Sequence, residues 1–265
     1  MTTESPVPGA FGFGELVHLV DGKNRKYLLT LEEGGSFQTH AGFLDHADLV
    51  GKNEGREVKT SKGQTFRAFR PTLSDFIFSM PRGAQVIYPK DIGPILMMAD
   101  IRPGCRVLES GVGSGALSMG MLNCGATIVG YELREDFAGR AKNNVKRFLG
   151  AEILDRYLVE VRDCYEGIDE VGLDRVVLDL PEPWHVPPHA AQALKPGGIF
   201  LSYSPSITQS VQTTAALAQS GFSLIKTTEV LHRGWNIAGT SVRPDHRMVA
   251  HTGFLTQARL LDQRT

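Results

Sequence analysis

Glycine stands at every second position from Gly111 to Gly115, in the run Glu109-Ser110-Gly111-Val112-Gly113-Ser114-Gly115. The run follows the apolar "RVL" and precedes "ALSMGML", whose spacing predicts a helix. A strand that leaves through glycines into a helix lets a ligand lie against the backbone. The helix start adds unpaired N–H groups. The spacing is GxGxG. It departs from the dinucleotide pattern GxGxxG, although Gly111, Gly113 and Ala116 satisfy the looser GxGxxA form. Such a turn can also be a tight turn and nothing more, so the chemistry must be read from the residues around it.

Those residues are acids at strand ends. Glu109 closes the predicted strand "RVLES", where a carboxylate repels a pyrophosphate and suits a cation. Glu132 closes "TIVGYEL", in the position from which an acid accepts hydrogen bonds from both hydroxyls of a ribose. Asp163 closes "YLVEVRD" and is placed to take the exocyclic amine of an adenine. Each of the last two could equally be a solvated strand-end acid. Together they favour a cationic adenosine ligand, and S-adenosyl-L-methionine, a sulfonium with an amino-acid tail, fits. A fourth strand ends in "VVLDLPEPW", which puts Asp179 beside the methyl donor on a loop stiffened by two prolines. There a carboxylate can accept a hydrogen bond from an adenine N6 amino group and raise electron density at the neighbouring N1. Pro181 and Trp184 could pack against that base, and Trp184 could equally be ordinary core. Methyl transfer needs in-line approach, so the protein's task is positioning.

The elements that must hold these groups alternate after Pro71. Helices are predicted at "TLSDFIFSM", capped by Thr72 or Ser74, and at "PKDIGPILMMADI". A third covers "REDFAGRAKNNVKRFL", with Phe137, Ala141, Val145 and Phe148 on one face. Two more cover "PHAAQAL" and "TQSVQTTAALAQSG". The turn "KPGG" leads into the strand "IFLSYS". "SLIKTTEVLH" and "HTGFLTQARLL" close the chain as two strands. This pattern predicts an α/β fold with a mostly parallel sheet covered on both faces. Residues 1–70 read instead as a small β domain of five short strands, "ELVHLV", "KYLLTL", "SFQTH", "REVKTS" and "QTFRAFR". Residues 71–265 are expected to form the catalytic domain.

Composition narrows the partners. The chain has 265 residues and a formal net charge of -1, so no strongly basic surface announces nucleic acid. Three widely spaced cysteines without a CxxC pair predict neither zinc nor a disulfide framework. No metal site is expected. The N-terminal stretch lacks a leader pattern and no run of about 18 apolar residues occurs. A soluble, cytoplasmic protein without a membrane partner is expected.

Three longer segments carry a resemblance. "PRGAQVIYPKDIGPILMMADIRPGCRVLESGVGSGALS", "LDLPEPW" and "RGWNIAGTSVRPDHRMVAHTGFLTQARLL" resemble the tRNA (adenine-N1)-methyltransferases of bacteria and archaea, the actinobacterial members above all. The likeness spans essentially the whole chain. It implies a class I S-adenosylmethionine-dependent methyltransferase fold, Rossmann-like with an antiparallel last strand. It implies 1-methyladenosine formation at adenosine 58 of the tRNA T loop and leaves adenosine 57 open. By the same resemblance Ser110 to Gly115, Glu132, Phe137, Asp163 and Cys164 bind the donor. Asp179 lies where donor and base meet, and Tyr88 helps hold the base. Phe137 departs from the polar residue of other members. The segment "MLNCGATIV" is shorter than the family's. The resemblance also implies a homotetramer, in which Arg233, Arg243 and Arg247, with His232, His246 and His251, line an RNA cleft shared between subunits. The plain alternative is a solvated basic face. Two other functions stay open: methylation of a protein or small molecule, and a non-catalytic RNA-binding subunit.

Overall fold

The computed structural model describes residues 9–83 and 85–262. The first eight residues, on which the expectation of no leader rests, lie outside them. The chain divides into two compact units, Met1–Met80 and Pro81–Thr265.

The first unit holds β1 (Leu16–Asp21), β2 (Lys26–Thr30), β3 (Ser36–Thr39), β4 (Gly42–Asp45), β5 (Glu57–Lys59), β6 (Thr65–Phe69) and α1 (Leu73–Ser79). Four strands form an antiparallel sheet in the order β2-β1-β6-β5, and β3 pairs with β4 in a separate hairpin. Five strands were expected; β4, four residues long, is too short to show alternation. Phe11, Val17, Leu19, Leu31, Leu49 and Phe66 fill the core. The Thr72 side chain accepts from Asp75 N while Asp75 accepts from Thr72 N, the capping box that starts α1. The unit ends after Met80, where the sequence pattern changes at Pro71. The reason is that α1 is tied to the strands through Asp75 with Lys26 and Ser79 with His18.

The second unit starts with α2 (Pro89–Met98), β7 (Arg106–Ser110), α3 (Ala116–Asn123), β8 (Thr127–Glu132), α4 (Glu135–Leu149) and β9 (Tyr157–Val161). It continues through β10 (Leu173–Asp179), α5 (Pro187–Ala193), β11 (Leu194–Ser204), α6 (Ile207–Gln219), β12 (Phe222–Glu229), β13 (Trp235–Ala238), β14 (Ser241–Pro244) and β15 (Phe254–Leu260). The seven-stranded sheet runs β12-β15-β11-β10-β7-β8-β9. The pairs from β11 to β9 are parallel and β15 runs antiparallel to both its neighbours. The chain winds outward in opposite directions from the central pair β7–β10. That reversal opens a crevice at their carboxyl ends.

Side-chain parity assigns the faces. Leu108, Val176, Leu178 and Phe200 point to the side of α5 and α6, with Val186, Ala190 and Leu217. Glu109 has the opposite parity and bonds α3 through Ser118. The β10–β7 register pairs Val177 with Glu109, and the β10–β11 register pairs Asp179 with Tyr203. Glu109, Asp179 and Tyr203 therefore share the α3 face. On α4, acids in the first turn and bases in the last suit the helix dipole. Phe137, Ala141 and Val145 are buried and Phe148 partly so.

Two expectations are corrected. β9 ends at Val161, so Asp163 lies two residues beyond the strand it was expected to close. "KPGG" does not precede the strand: β11 begins at Leu194, and Lys195 to Gly198 loop out between the pairs Leu173–Leu194 and Arg175–Ile199. The sequence also gave no hint of the hairpin β13–β14 before β15. Both faces of β13 are exposed, so no alternation marks it.

Candidate active site

The glycine turn lies at the crevice. Gly111, Gly113 and Gly115 have φ of 81°, 56° and 81°, the left-handed region that favours glycine. Gly111 is doubly required, because a Cβ there would collide with the Asp179 carbonyl. This contact brings the turn after β7 against the end of β10. Asn144 pins the turn from α4, donating to Ser114 O and to Pro81 O, each at 3.0 Å. Val112 is buried, and Ser110 bonds the Cys164 thiol, itself buried in the α5–α6 core. Burial pushes that thiol up to about 11.

Glu109, Glu132 and Asp179, at the ends of β7, β8 and β10, lie within electrostatic reach of one another and have few partners. Glu132 accepts from Gly113 N at 2.9 Å and from Arg134 N at 3.0 Å. Each oxygen keeps a lone pair, and the carboxylate holds the glycine turn in shape. Glu109 is 2% exposed and accepts from Ser118 Oγ at 2.6 Å, with Tyr157 OH behind it at 2.9 Å from that hydroxyl. Burial raises its pKa to about 8, and the charges of Asp179 and Glu132 add to the shift. Asp179 is raised to about 7 by burial and by Glu132. Asp163 accepts from Tyr165 N at 2.9 Å. Among the described residues no cation forms an ion pair with Glu109, Glu132, Asp163 or Asp179.

Phe137 is buried between two guanidinium groups, Arg134 at 4.1 Å and Arg140 at 5.1 Å from its ring centre, and a side chain on Gly83 would strike it. Gln85, Val86 and Ile87 lie over the turn and leave a cavity of about 20 Å³ between themselves, Glu109 and Asp179. The residues nonetheless fit S-adenosylmethionine chemically. The turn is bare, Glu109, Glu132, Asp163 and Asp179 have no paired cation, and the Ser114 hydroxyl is buried without a hydrogen-bond partner among the described residues.

The loop after Asp179 is held from two sides. Gln209 Nε2 donates to Pro181 O at 2.7 Å while its Oε1 accepts from Ser206 N, so the cap of α6 also fixes the loop. Tyr165 OH accepts from Glu182 N at 2.9 Å. Pro181 is exposed, and Trp184 is half-buried against His185. Tyr88 precedes α2 as its N-cap residue. Tyr203 is a residue that sequence reasoning missed. Burial pushes its phenol up to about 12, and the charges of Asp91 and Asp179 and the nearby Tyr88 push the same way. Only the register of β10 against β11 reveals it. Ser118, Tyr165 and Gln209 were missed for the same reason: each acts through a partner distant in sequence.

Arg233, Arg243 and Arg247 are exposed on and around the hairpin β13–β14, with Arg233 over the Trp235 ring. His251 stands apart from them, between Glu229 Oε1 at 2.7 Å and Pro205 O at 2.9 Å, and these contacts raise its pKa. A larger cavity, about 480 Å³, opens at the opposite end of the sheet among Arg102, Asp174, Arg175, Lys195 and Arg259. Its acids are already matched, Asp174 by Lys195 and Asp100 by Arg175. Size therefore does not make it the site. Among the described residues no cluster of His, Cys, Asp or Glu could hold a metal ion, and no helix is long and apolar enough to cross a membrane.

Residues 68–243 match the family described as the tRNA methyltransferase complex GCD14 subunit, and residues 9–58 match the one described as TrmI-like N-terminal. The chain is 37% identical over 268 residues to the tRNA (adenine(57)-N(1)/adenine(58)-N(1))-methyltransferase TrmI of Methanocaldococcus jannaschii, covering 91% of this chain and 94% of that protein. It is 35% identical over 244 residues to the tRNA (adenine(58)-N(1))-methyltransferase TrmI of Thermus thermophilus, covering 91% and 95%. Among solved structures, a SAM-dependent O-methyltransferase of Thermotoga maritima matches with a TM-score of 0.90 at 32% identity over 97% of each chain. The tRNA (m1A58) methyltransferase TrmI of Aquifex aeolicus matches with a TM-score of 0.83 at 28% identity, covering 96% of this chain and 100% of that one.

Proposed function

The chain belongs to the tRNA methyltransferase family of the GCD14 and TrmI type, and on that premise we propose that it transfers a methyl group from S-adenosylmethionine to N1 of adenosine 58 in tRNA. The observation that carries the site assignment is Asp179, a half-buried carboxylate without a cation, against the glycine turn. When bound, S-adenosylmethionine supplies an electrophilic methyl group on a positive sulfur. Glu132 accepts hydrogen bonds from the ribose hydroxyls and Asp163 from the adenine amine of the donor. Gly111 to Gly115 let the donor lie on the backbone, and Gln85 to Ile87 must shift to admit it. The target base must leave its stack to reach the pocket. Asp179 then accepts from its N6 amino group, while Tyr88 and Trp184 pack against the ring above Pro181. No proton is removed before attack, because N1 carries a lone pair. A carboxylate beside the developing positive ring stabilises the transition state more than the neutral base.

Self-association as a cytoplasmic homotetramer belongs to the same proposal. A net charge of -1 gives one chain little attraction for RNA, whereas several copies can pool Arg233, Arg243 and Arg247. Trp235, Ile237 and Val242 on the same hairpin are exposed apolar side chains suited to burial between copies. Light scattering is expected to report a tetramer; a monomer that methylates tRNA at full rate would remove the pooled cleft.

The function is tested by incubating the protein with labelled S-adenosylmethionine and unmodified tRNA, then digesting and identifying the nucleoside. 1-Methyladenosine at position 58 is expected. Label at position 57 as well would extend the target. A 2′-O-methylated nucleoside, or label only on protein, would overturn the reading.

A further inference from the structure

Asp91 is fully buried in the first turn of α2, three residues after Tyr88. One of its oxygens accepts from Lys90 Nζ at 2.8 Å, and the same ammonium donates to Val230 O at 2.8 Å. The other accepts from Thr252 Oγ1 at 2.6 Å, across a separation of 161 residues. The Thr252 carbonyl in turn accepts from Tyr203 OH at 2.5 Å. Gly253 presses on the Tyr203 ring so closely that any Cβ there would collide with it. On the other side of Thr252, His251 is stitched to Glu229 and Pro205. The segment 251–253 is thus fixed at each residue, and its fixed carbonyl determines where the phenol ends.

None of these residues lines the narrow cavity at the glycine turn. The network joins the helix start that carries Tyr88 to the strand end that carries Tyr203. Tyr203 stands in register with Asp179 on the neighbouring parallel strand, so the two side chains leave the sheet on the same face. With its hydroxyl bound to Thr252, the ring is held by its far end, while its backbone stays in register with Asp179.

We propose that the Asp91–Thr252 bond is a positioning clamp, which sets Tyr203 and Tyr88 as the aromatic walls of the slot that receives the acceptor base opposite Asp179. The proposal rests on the reading of Asp179 as the residue that grips the base. Neither Asp91 nor Thr252 touches the reacting atoms. Their effect is on alignment, where a displacement of about 1 Å costs on the order of 10²-fold in rate.

Thr252→Val removes the hydroxyl and keeps the shape. It is expected to slow single-turnover methyl transfer to tRNA by about 10- to 100-fold, while calorimetric affinity for S-adenosylmethionine stays within about 3-fold. Thr252→Ser restores the donor and should restore the rate. Tyr203→Phe cuts the other end of the same chain of bonds and keeps the ring. The double variant Thr252→Val/Tyr203→Phe should therefore be no slower than the slower single variant, because both act through one peptide. A wild-type rate for Thr252→Val, no rescue by Ser, or fully multiplicative effects in the double variant would each overturn the clamp. If Thr252→Val does not fold, the comparison of Tyr203→Phe with Thr252→Ala/Tyr203→Phe decides the same question. Near-equal rates support the clamp, and a further 10-fold loss overturns it. Asp179→Asn separates this from the underlying reading. An active Asp179→Asn overturns the site assignment, whereas an inactive one beside a full-rate Thr252→Val overturns only the clamp.

Discussion

The two ends of the central sheet treat their acids in opposite ways. At the end away from the glycine turn, the acids lining the larger cavity are partly or fully exposed and each has a cation. Asp174 pairs with Lys195 at 2.9 Å and Asp100 with Arg175 at 2.7 Å, and Arg175 also donates to Ala99 O and Asp100 O. At the carboxyl ends of β7, β8 and β10, Glu109 has a hydroxyl for company, Glu132 has two amides, and Asp179 has neither among the described residues. A buried carboxylate without a counter-charge is costly, and a fold keeps such groups where something else brings the charge. On the function proposed above, that charge is the sulfonium of the donor. The larger cavity is electrically complete, and the narrow one is the one that needs a ligand.

The sharpest way to break this contrast is Asp179→Asn, which keeps the shape and removes the charge. A loss on the order of 10²–10³-fold in kcat is expected, with donor affinity changed much less. Single-turnover rates and calorimetry on one preparation read both. A near wild-type rate would reduce Asp179 to a strand end.

Glu132→Ala comes next. It should weaken S-adenosylmethionine binding by about 1.5–3 kcal/mol, the range for charge-assisted hydrogen bonds. Part of that loss comes from the glycine turn, because Gly113 N loses its acceptor. Unchanged affinity by calorimetry removes Glu132 from the ribose role.

The pH dependence follows with its sign fixed by the two raised acids. Glu109 and Asp179 titrate near 8 and 7 in the folded protein, far above ordinary carboxylates. Without donor, their contribution to stability is full below about pH 4 and declines as pH rises through 7 and 8. Donor affinity and kcat should move the other way and rise across that window, since a positive ligand and a positive product both favour ionised acids. Calorimetric titration in buffers of different ionisation enthalpy should detect proton release on donor binding. Flat profiles between pH 6 and 8.5 would show that neither acid answers to the ligand's charge.

The smallest effect belongs to the opposite end. Lys195→Ala opens a half-exposed ion pair and should cost no more than about 1 kcal/mol in thermal unfolding, with kcat unchanged. A large loss of activity there would erase the distinction between the two ends.

What was readable in the sequence is local in origin. The glycines from Gly111 to Gly115 mark the turn because no other residue adopts φ near 81° at low cost. Glu132 and Asp179 mark strand ends because apolar alternation stops at them, whereas Asp163 lies two residues past the end of β9. The cap at Thr72 announces α1 within four residues. The first unit was less legible, since its strands are three to six residues long and β4 shows no full alternation.

Tertiary structure alone decided how those parts meet. The Asp179 carbonyl over Gly111 depends on β10 lying beside β7, a pairing of segments some seventy residues apart that no periodicity encodes. Glu109 lines the narrow crevice, and the parity of β7 against α3 also brings it onto Ser118. Tyr203, Thr252 and Asp91 form one chain of hydrogen bonds from three distant segments. Side-chain patterns report which face of an element is buried, and they carry no information about which distant group that face will find. That choice is made by sheet order and register, and it is what brings unpaired acids together at one end of the sheet and matched charges at the other.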